Sequence, residues 1–314
     1  MNLDFFAVMS SLISLFSLIA VGFAAVRFGV LSDKVSASFS ALILKITLPC
    51  TIFISLVQRE YDPKFVHDSM IMMISGIIVF VTCLYSCKYV AKILGVPKNS
   101  QGLWAFASTF SNSGFMGFPI ALALFGTEGL ALSVILNVAF NIVIYTLGAI
   151  EISKDNINSS SQKLDLKSII FSKINIAIIL SLIFYFGQIN LPKILETPLT
   201  YLSNITTPLS MFVIGMALSS SKGLEMFTDK YVWECTAMRL VIIPLVLLGI
   251  FGVFPLGDNP LIGAVFVVIM AMPPASVTTV LTEVYKGNVQ FAAKIMFVQN
   301  LLCIVTIPLI CLLI

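Results

Sequence analysis

Charge is scarce in these 314 residues: only 11% are Asp, Glu, Lys or Arg, against about 25% in an ordinary soluble domain. Hydrophobic residues make up 59%, and the mean hydropathy is +1.05. Such a chain has too little polar surface to cover a core in water. A water-soluble globular enzyme and a disordered protein are therefore excluded. The net charge of +3 offers no basic field for nucleic acid. Histidine is nearly absent, and the single His67 disfavours a His-based metal site or a Ser-His triad. The six cysteines, Cys50, Cys83, Cys87, Cys235, Cys303 and Cys311, all lie in apolar runs and form no CxxC pair. They read as small hydrophobes inside helices. No HExxH, GxSxG or GxxxxGK[ST] pattern is present, so neither an enzyme nor ATP-driven work is expected. No cofactor or metal is called for, and the solvent partner is a lipid bilayer.

What is present is a series of apolar runs. A helix needs about 20 such residues to cross a bilayer. Ten runs qualify: 5–26, 36–57, 69–91, 101–125, 128–150, 168–189, 196–219, 230–253, 259–283 and 289–313. The first begins with Asp4 rather than a basic cluster and is too long for a signal peptide, so it is read as a retained helix. Short turns at Gly126-Thr127 and around Lys286-Gly287-Asn288 join two pairs. The odd loops carry Arg27, Lys34, Lys88, Lys92, Lys98, Lys154, Lys163, Lys167, Lys222, Lys230 and Lys286, whereas the even loops carry only Arg59, Lys64 and Lys193. The positive-inside rule then puts the odd loops in the cytoplasm and both termini outside the cell. The expected protein is a multi-pass component of the cell (plasma) membrane. On this topology the Asn158-Ser159-Ser160 sequon is cytoplasmic and a coincidence.

The polar loop 151–167 divides the runs into 1–150 and 168–314. Five crossings in each half force opposite orientations, so any repeat is inverted. Leu48-Pro49-Cys50-Thr51-Ile52-Phe53 and Thr207-Pro208-Leu209-Ser210-Met211-Phe212 are a faint trace of one. The fourth and ninth runs both hold proline at depth. The fourth reads Ser111-Asn112-Ser113-Gly114-Phe115-Met116-Gly117-Phe118-Pro119, and the ninth reads Met272-Pro273-Pro274-Ala275-Ser276. Glycine and proline in this density are poor material for a continuous helix. The expectation is a break at 112–118, with a second half-helix starting at Pro119, and another at 272–276. Half-helix N-termini carry free N–H groups and partial positive charge, which suits an anion. Ordinary proline kinks that help helices pack are the competing reading.

These motifs carry a resemblance. Asn112-x-x-x-Met116-Gly117-x-Pro119 is similar to the interrupted fourth helix of the auxin efflux carrier family, which includes plant PIN proteins and bacterial permeases for malate and malonate. Met272-Pro273 with Glu283-x-Tyr285 and Pro308 resembles that family's last two helices. Leu48-Pro49 and Arg239-Leu240-x-x-x-Pro244 fit as well. The resemblance spans the chain and implies ten helices in two inverted five-helix repeats, with helices four and nine crossing at their breaks. It also implies a scaffold of helices one, two, six and seven beside a moving bundle of three to five and eight to ten. The chain departs from the plant carriers in helix three, which has no acidic residue between Ser69 and Lys88.

The candidate substrate residues are Asn112, Ser113, Gly114, Gly117, Pro119, Pro273, Pro274 and Ser276, with Asn137 and Asn141 one turn apart on the fifth helix. Lys45 and Arg239 are the deepest charges and are candidate charge partners. Snorkelling is the alternative for both, and fits Arg239 better than Lys45. The reading is a secondary transporter for a small organic anion, working by alternating access and compatible with a homodimer. A sodium-coupled symporter of the bile-acid type, with Ser111, Asn112, Ser276 and Thr278 as oxygen donors, is the nearest alternative. A channel or receptor on the same fold would be separated by flux kinetics. The topology predicts that Ser160→Cys resists external thiol labelling in intact cells; efficient labelling would reverse the orientation.

Overall fold

The computed structural model describes residues 5–32, 34–155, 173–219 and 227–314. Residues 156–167 of the polar loop and 168–172 of the sixth apolar run lie outside the described residues. Among the described residues the chain is all-helical, without a strand. The α-helices are α1 (Phe5–Arg27), α2 (Lys34–Leu42), α3 (Leu48–Val57), α4 (Pro63–Ile93), α5 (Gln101–Thr109), α6 (Phe118–Val143) and α7 (Ala149–Ser153). They continue with α8 (Lys173–Gly187), α9 (Lys193–Ser219), α10 (Lys230–Ala237), α11 (Ile243–Val253), α12 (Pro260–Met270), α13 (Val277–Val284) and α14 (Val289–Cys311). Six stretches among these residues are long and apolar enough to cross a membrane: Val35–Val57, Pro63–Ile93, Ser113–Ser153, Lys193–Ser219, Lys230–Val253 and Val289–Cys311. The apolar helices Ile13–Arg27, Lys173–Gly187 and Pro260–Met270 are shorter.

Proline explains three local widenings of the helices. π-Turns occupy Ile43–Thr47, Ser113–Gly117 and Met238–Ile242, and each is followed two residues later by proline: Pro49, Pro119 and Pro244. A proline ring clashes with the carbonyl four residues back and brings no N–H. Those carbonyls belong to Lys45, Phe115 and Leu240, the middle residue of each turn, and a widened turn accommodates the clash. A fourth π-turn, Ile144–Gly148, has no proline after it. There Gly148 packs so closely that a Cβ would lie 2.7 Å from the Phe110 ring. Within α6, Gly126 takes φ 66° and ψ −160°, a conformation open essentially to glycine alone. The Gly126-Thr127 turn is thus an abrupt bend inside Ser113–Ser153.

The fourth-run break is displaced from its expected position. Helix α5 ends at Thr109, and helical geometry resumes as the π-turn at Ser113. The unwound residues are therefore 110–112. The π-turn absorbs Pro119, so the break need not extend to that proline. The ninth-run break falls between Met270 and Val277.

The chain packs into two compact units. The first draws on Met1–Met70, Gly114–Ile135 and Leu166–Ser221, and the second on Ile71–Ser113, Leu136–Asp165 and Lys222–Ile314. The resemblance assigns all of helix four to one bundle, whereas the division observed cuts it between Ser113 and Gly114. In the first unit α1 and α9 approach backbone to backbone: a Cβ on Gly22 would sit 2.0 Å from the Phe212 carbonyl oxygen, and one on Gly215 would sit 1.9 Å from that of Ile19. Small residues permit such contacts in lipid, where hydrophobicity does not drive helices together. Thr51 Oγ1 and Thr206 Oγ1, 2.8 Å apart, tie α3 to α9. In the second unit the Phe110 ring stacks on Phe80 at 6.0 Å and meets Phe140 edge-on at 5.7 Å. These aromatic contacts fix the residue at which α5 stops.

Candidate functional site

The two breaks meet within the second unit. Ser111 and Pro274 form an isolated antiparallel bridge. Around it the Asn112 N–H donates to the Pro273 carbonyl at 2.8 Å, and the Ala275 N–H donates to the Phe110 carbonyl at 2.8 Å. Each unwound segment thus supplies what the other lost. Lipid offers no such partner, and an unsatisfied main-chain group there costs several kcal/mol.

Proline leaves the meeting point short of donors, because Pro273 and Pro274 contribute carbonyls but no N–H. The ends of α5 and α12 add further carbonyls. Arg239, in the π-turn ahead of Pro244, meets this excess. It is fully buried, and its Nε donates to the Met272 carbonyl at 2.9 Å. Its Nη1 donates to the carbonyls of Ser108 at 3.1 Å and Thr109 at 2.8 Å. One guanidinium thus sits at the negative ends of two half-helices. Snorkelling does not describe Arg239, because its charged end is bound inside the unit. Lys45 lies in the first unit and is exposed.

Other polar side chains gather nearby. Asn112 is buried, and Ser113 Oγ donates to Asn137 Oδ1 at 2.8 Å. The hydroxyls of Ser111 and Thr278 are buried without a hydrogen-bond partner among the described residues. Cys235 is more than packing: its Sγ lies 3.2 Å from Ser108 Oγ and accepts from Gln299 Nε2 at 3.3 Å. Sequence reasoning missed this group, because its members lie more than sixty residues apart and only their burial in apolar runs marked them.

The opposite end of α5 is held by Asp155. Its two carboxylate oxygens accept from the Gly102 and Leu103 N–H groups, each at 2.7 Å. Gly102 is required by close approach, since a Cβ there would lie 2.0 Å from the Glu151 carbonyl oxygen. Glu151 is buried and pairs with Lys88 and with Lys154, the latter at 2.6 Å. Burial pushes the Asp155 carboxyl up to about 6, against the lowering effect of its two main-chain donors and Lys88.

The second unit thus brings together Asn112, Ser113, Asn137, Pro273, Pro274 and Arg239. Asn141 and Ser276 belong to the same unit, the first half-buried and the second exposed. Gly114, Gly117 and Pro119 fall in the first unit.

Two predictions follow from α5. Arg239→Gln leaves buried carbonyls without donors and should cost about 3–5 kcal/mol of stability, with Arg239→Lys intermediate; thermal unfolding in detergent checks the order. For Asp155 the folded carboxyl titrates above its ordinary value of about 3.9. Its contribution to stability is therefore fully present below pH 4 and is lost as pH rises through about 6. Asp155→Asn should remove a pH dependence on the order of 2–3 kcal/mol across that window, measured by unfolding at stepped pH.

Comparison with known proteins agrees with a membrane chain. Residues 7–311 match the family described as membrane transport protein. A protein of Methanocaldococcus jannaschii named an uncharacterized transporter is 26% identical over 303 residues, covering 93% of this chain and 94% of that protein. A Methanothermobacter thermautotrophicus protein of the same description is 26% identical over 303 residues, covering 95% and 96%. The protein ECM3 of Saccharomyces cerevisiae is 27% identical over 156 residues, covering 46% of this chain and 25% of that protein. With the family matched along nearly its whole length, the chain belongs to the auxin efflux carrier-like membrane transport family and is a transport protein rather than an enzyme.

Proposed function

We propose that this transporter carries a small organic anion, a carboxylate such as malate, malonate or an auxin-like acid, by alternating access. The anion is held where the two breaks meet. The observation that carries this reading is the reciprocal pair of main-chain bonds between 110–112 and 273–275. Two helices stop and restart at one place, and the half-helices that restart there begin at Ser113 and Val277. Their N-termini carry partial positive charge. Asn112, Ser113 and Asn137 supply side-chain polarity, with Asn141, Pro273, Pro274 and Ser276 completing the set within the second unit. Arg239 acts through the carbonyls it holds rather than by touching the anion. Lys45, exposed on the first unit, has weaker support as a charge partner.

The same reading takes the chain as ten crossings in two inverted halves, 1–150 and 168–314, joined by a cytoplasmic segment 151–167. It sets both termini outside the plasma membrane and is compatible with a homodimer. The interleaving of the two units, each drawing on both halves of the chain, supports a moving part and a supporting part. A sodium-coupled variant has one observation in its favour: the buried hydroxyls of Ser111 and Thr278, without a partner among the described residues, are oxygen donors of the kind a small cation needs.

Uptake of dicarboxylates and indole acetate into proteoliposomes, with and without pH and sodium gradients, tests both versions. Losing one hydrogen bond to a charged group costs roughly 1.5–3 kcal/mol, so Asn112→Ala should weaken binding about ten- to more than a hundredfold. Pro119→Ala lets the Ser113–Gly117 turn tighten to an ordinary helix, and transport should fall although alanine is the better helix former. Wild-type uptake in both variants at matched expression would move the site elsewhere.

A further inference from the structure

The first unit contains a cation that the crossing does not use. Arg59 follows α3, and its guanidinium carbon lies 4.0 Å over the centre of the Phe65 ring. Its side chain is 21% exposed, and its Nη2 reaches Glu128 only at 3.9 Å, beyond hydrogen-bond range. Its Nε is buried and has no hydrogen-bond partner among the described residues. One face of the guanidinium is therefore spent on an aromatic ring, while its Nε edge is buried and carries a donor that no described group uses. That planar edge matches a carboxylate with two parallel bonds.

The space beside it is of ligand size and of mixed polar and apolar lining, with Ile54, Leu122 and Leu130 among its walls. A cavity of about 460 Å³ is lined by Thr51, Ser55, Gln58, Arg59, Ser203 and Asn204, among others. Small-molecule sites run from about 300 to 1,000 Å³. Gln58, Arg59 and Glu60 also line an adjoining cavity of about 330 Å³. The neighbouring acids are not firmly bound to Arg59: Glu128 is 46% exposed, Glu60 is exposed, and Glu196 accepts from Gln58 Nε2 at 2.7 Å.

From this geometry we propose that the Arg59 cavity is a second anion site that takes a small carboxylate, with Glu128 as the resident carboxylate that the ligand displaces. Displacement exchanges one carboxylate for another, so the half-buried guanidinium is never left without a counter-charge. The exchange trades a long, loose pair for short, charge-assisted bonds. The site is built from the first unit alone and does not depend on the crossing, which lies in the second.

Equilibrium dialysis of radiolabelled malonate against the purified full-length protein, in detergent at low ionic strength, tests the site. Asn112→Ala serves as the background and removes the contribution of the crossing. Malonate should still bind that variant. Adding Arg59→Gln should weaken this binding about tenfold or more. Adding Glu128→Gln instead should strengthen it about two- to fivefold, because an exposed pair is worth at most about 1 kcal/mol. The opposite signs separate a binding role from damage to the fold. Where Arg59→Gln does not purify folded, Arg59→Lys keeps the charge over Phe65 and loses the planar edge, and should also weaken binding. Binding to wild type that vanishes with Asn112→Ala alone would overturn the second site while leaving the crossing in place. Absence of malonate binding to wild type, or an affinity unmoved by changes at 59 and 128, would overturn it as well.

Discussion

The second unit depends on a nine-residue helix with a charge of the right sign at each end. The Asp155 carboxylate holds the first N–H groups of α5, and the Arg239 guanidinium holds its last carbonyls. The helix dipole favours an anion at the N-terminus and a cation at the C-terminus, and at Asp155 its N–H groups offset only part of the burial cost that raises the carboxyl's pKa. Length makes this arrangement necessary, because an isolated helix shorter than about 12–15 residues is marginal. Helix α5 cannot borrow stability from a continuous partner, since the chain stops being helical at Phe110. The Phe80, Phe110 and Phe140 contacts and the absence of a Cβ at Gly102 and Gly148 then fix where it stops and how closely it packs. The geometry at the crossing follows from those restraints.

Proline has several outcomes among the described residues: Pro198, Pro208 and Pro308 lie inside α9 and α14 without a π-turn, and those at the π-turns and the ninth-run break divide by spacing. Pro49, Pro119 and Pro244 each follow a π-turn, and the helix continues. Pro273 and Pro274 stand together and stop it. A single proline removes one donor and crowds one carbonyl, which a widened turn can absorb. Two in succession remove adjacent donors, and the residue before each is pushed out of the helical region. Pro274 does this to Pro273 itself. The extended conformation that results is the one needed to pair with Ser111.

Much of this was legible in the sequence, and the rest was not for a definable reason. The apolar runs lie close to the helices wherever the residues are described, because length and hydropathy are local properties. The double proline located the break between α12 and α13. In the fourth run, composition pointed a few residues too far along: Gly114, Gly117 and Pro119 look like breakers, yet a π-turn carries the helix through them. Arg239 stood out as a deep charge, but its partners are carbonyls from Ser108, Thr109 and Met272, and carbonyls have no sequence signature. Asp155 and Gly102 are fifty-three residues apart, and nothing in either segment announces the pairing. In the sequence Arg59 is only one basic residue of an even loop, since its ring partner and its buried Nε exist only in the folded unit.

The balance of donors and acceptors at the crossing constrains what can bind there. The Asn112 and Ala275 N–H groups are spent on the opposing segment, and those of Ser113 and Thr278 are spent on carbonyls of their own. Two prolines add acceptors and no donors. An excess of carbonyl oxygen repels an anion unless something offsets it, and a buried guanidinium with three of those carbonyls already bonded is the offset. In the proposed anion site, Arg239 would act on charge preference without reaching the substrate. By occupying the carbonyls of α5 and α12 it removes the groups that would otherwise attract a cation. The half-helices that resume at Ser113 and Val277 turn their N-terminal, positive ends toward the crossing. The anion reading of the crossing thus rests on which half-helix ends are already occupied, and Arg239 bonds carbonyls at the negative ends of α5 and α12.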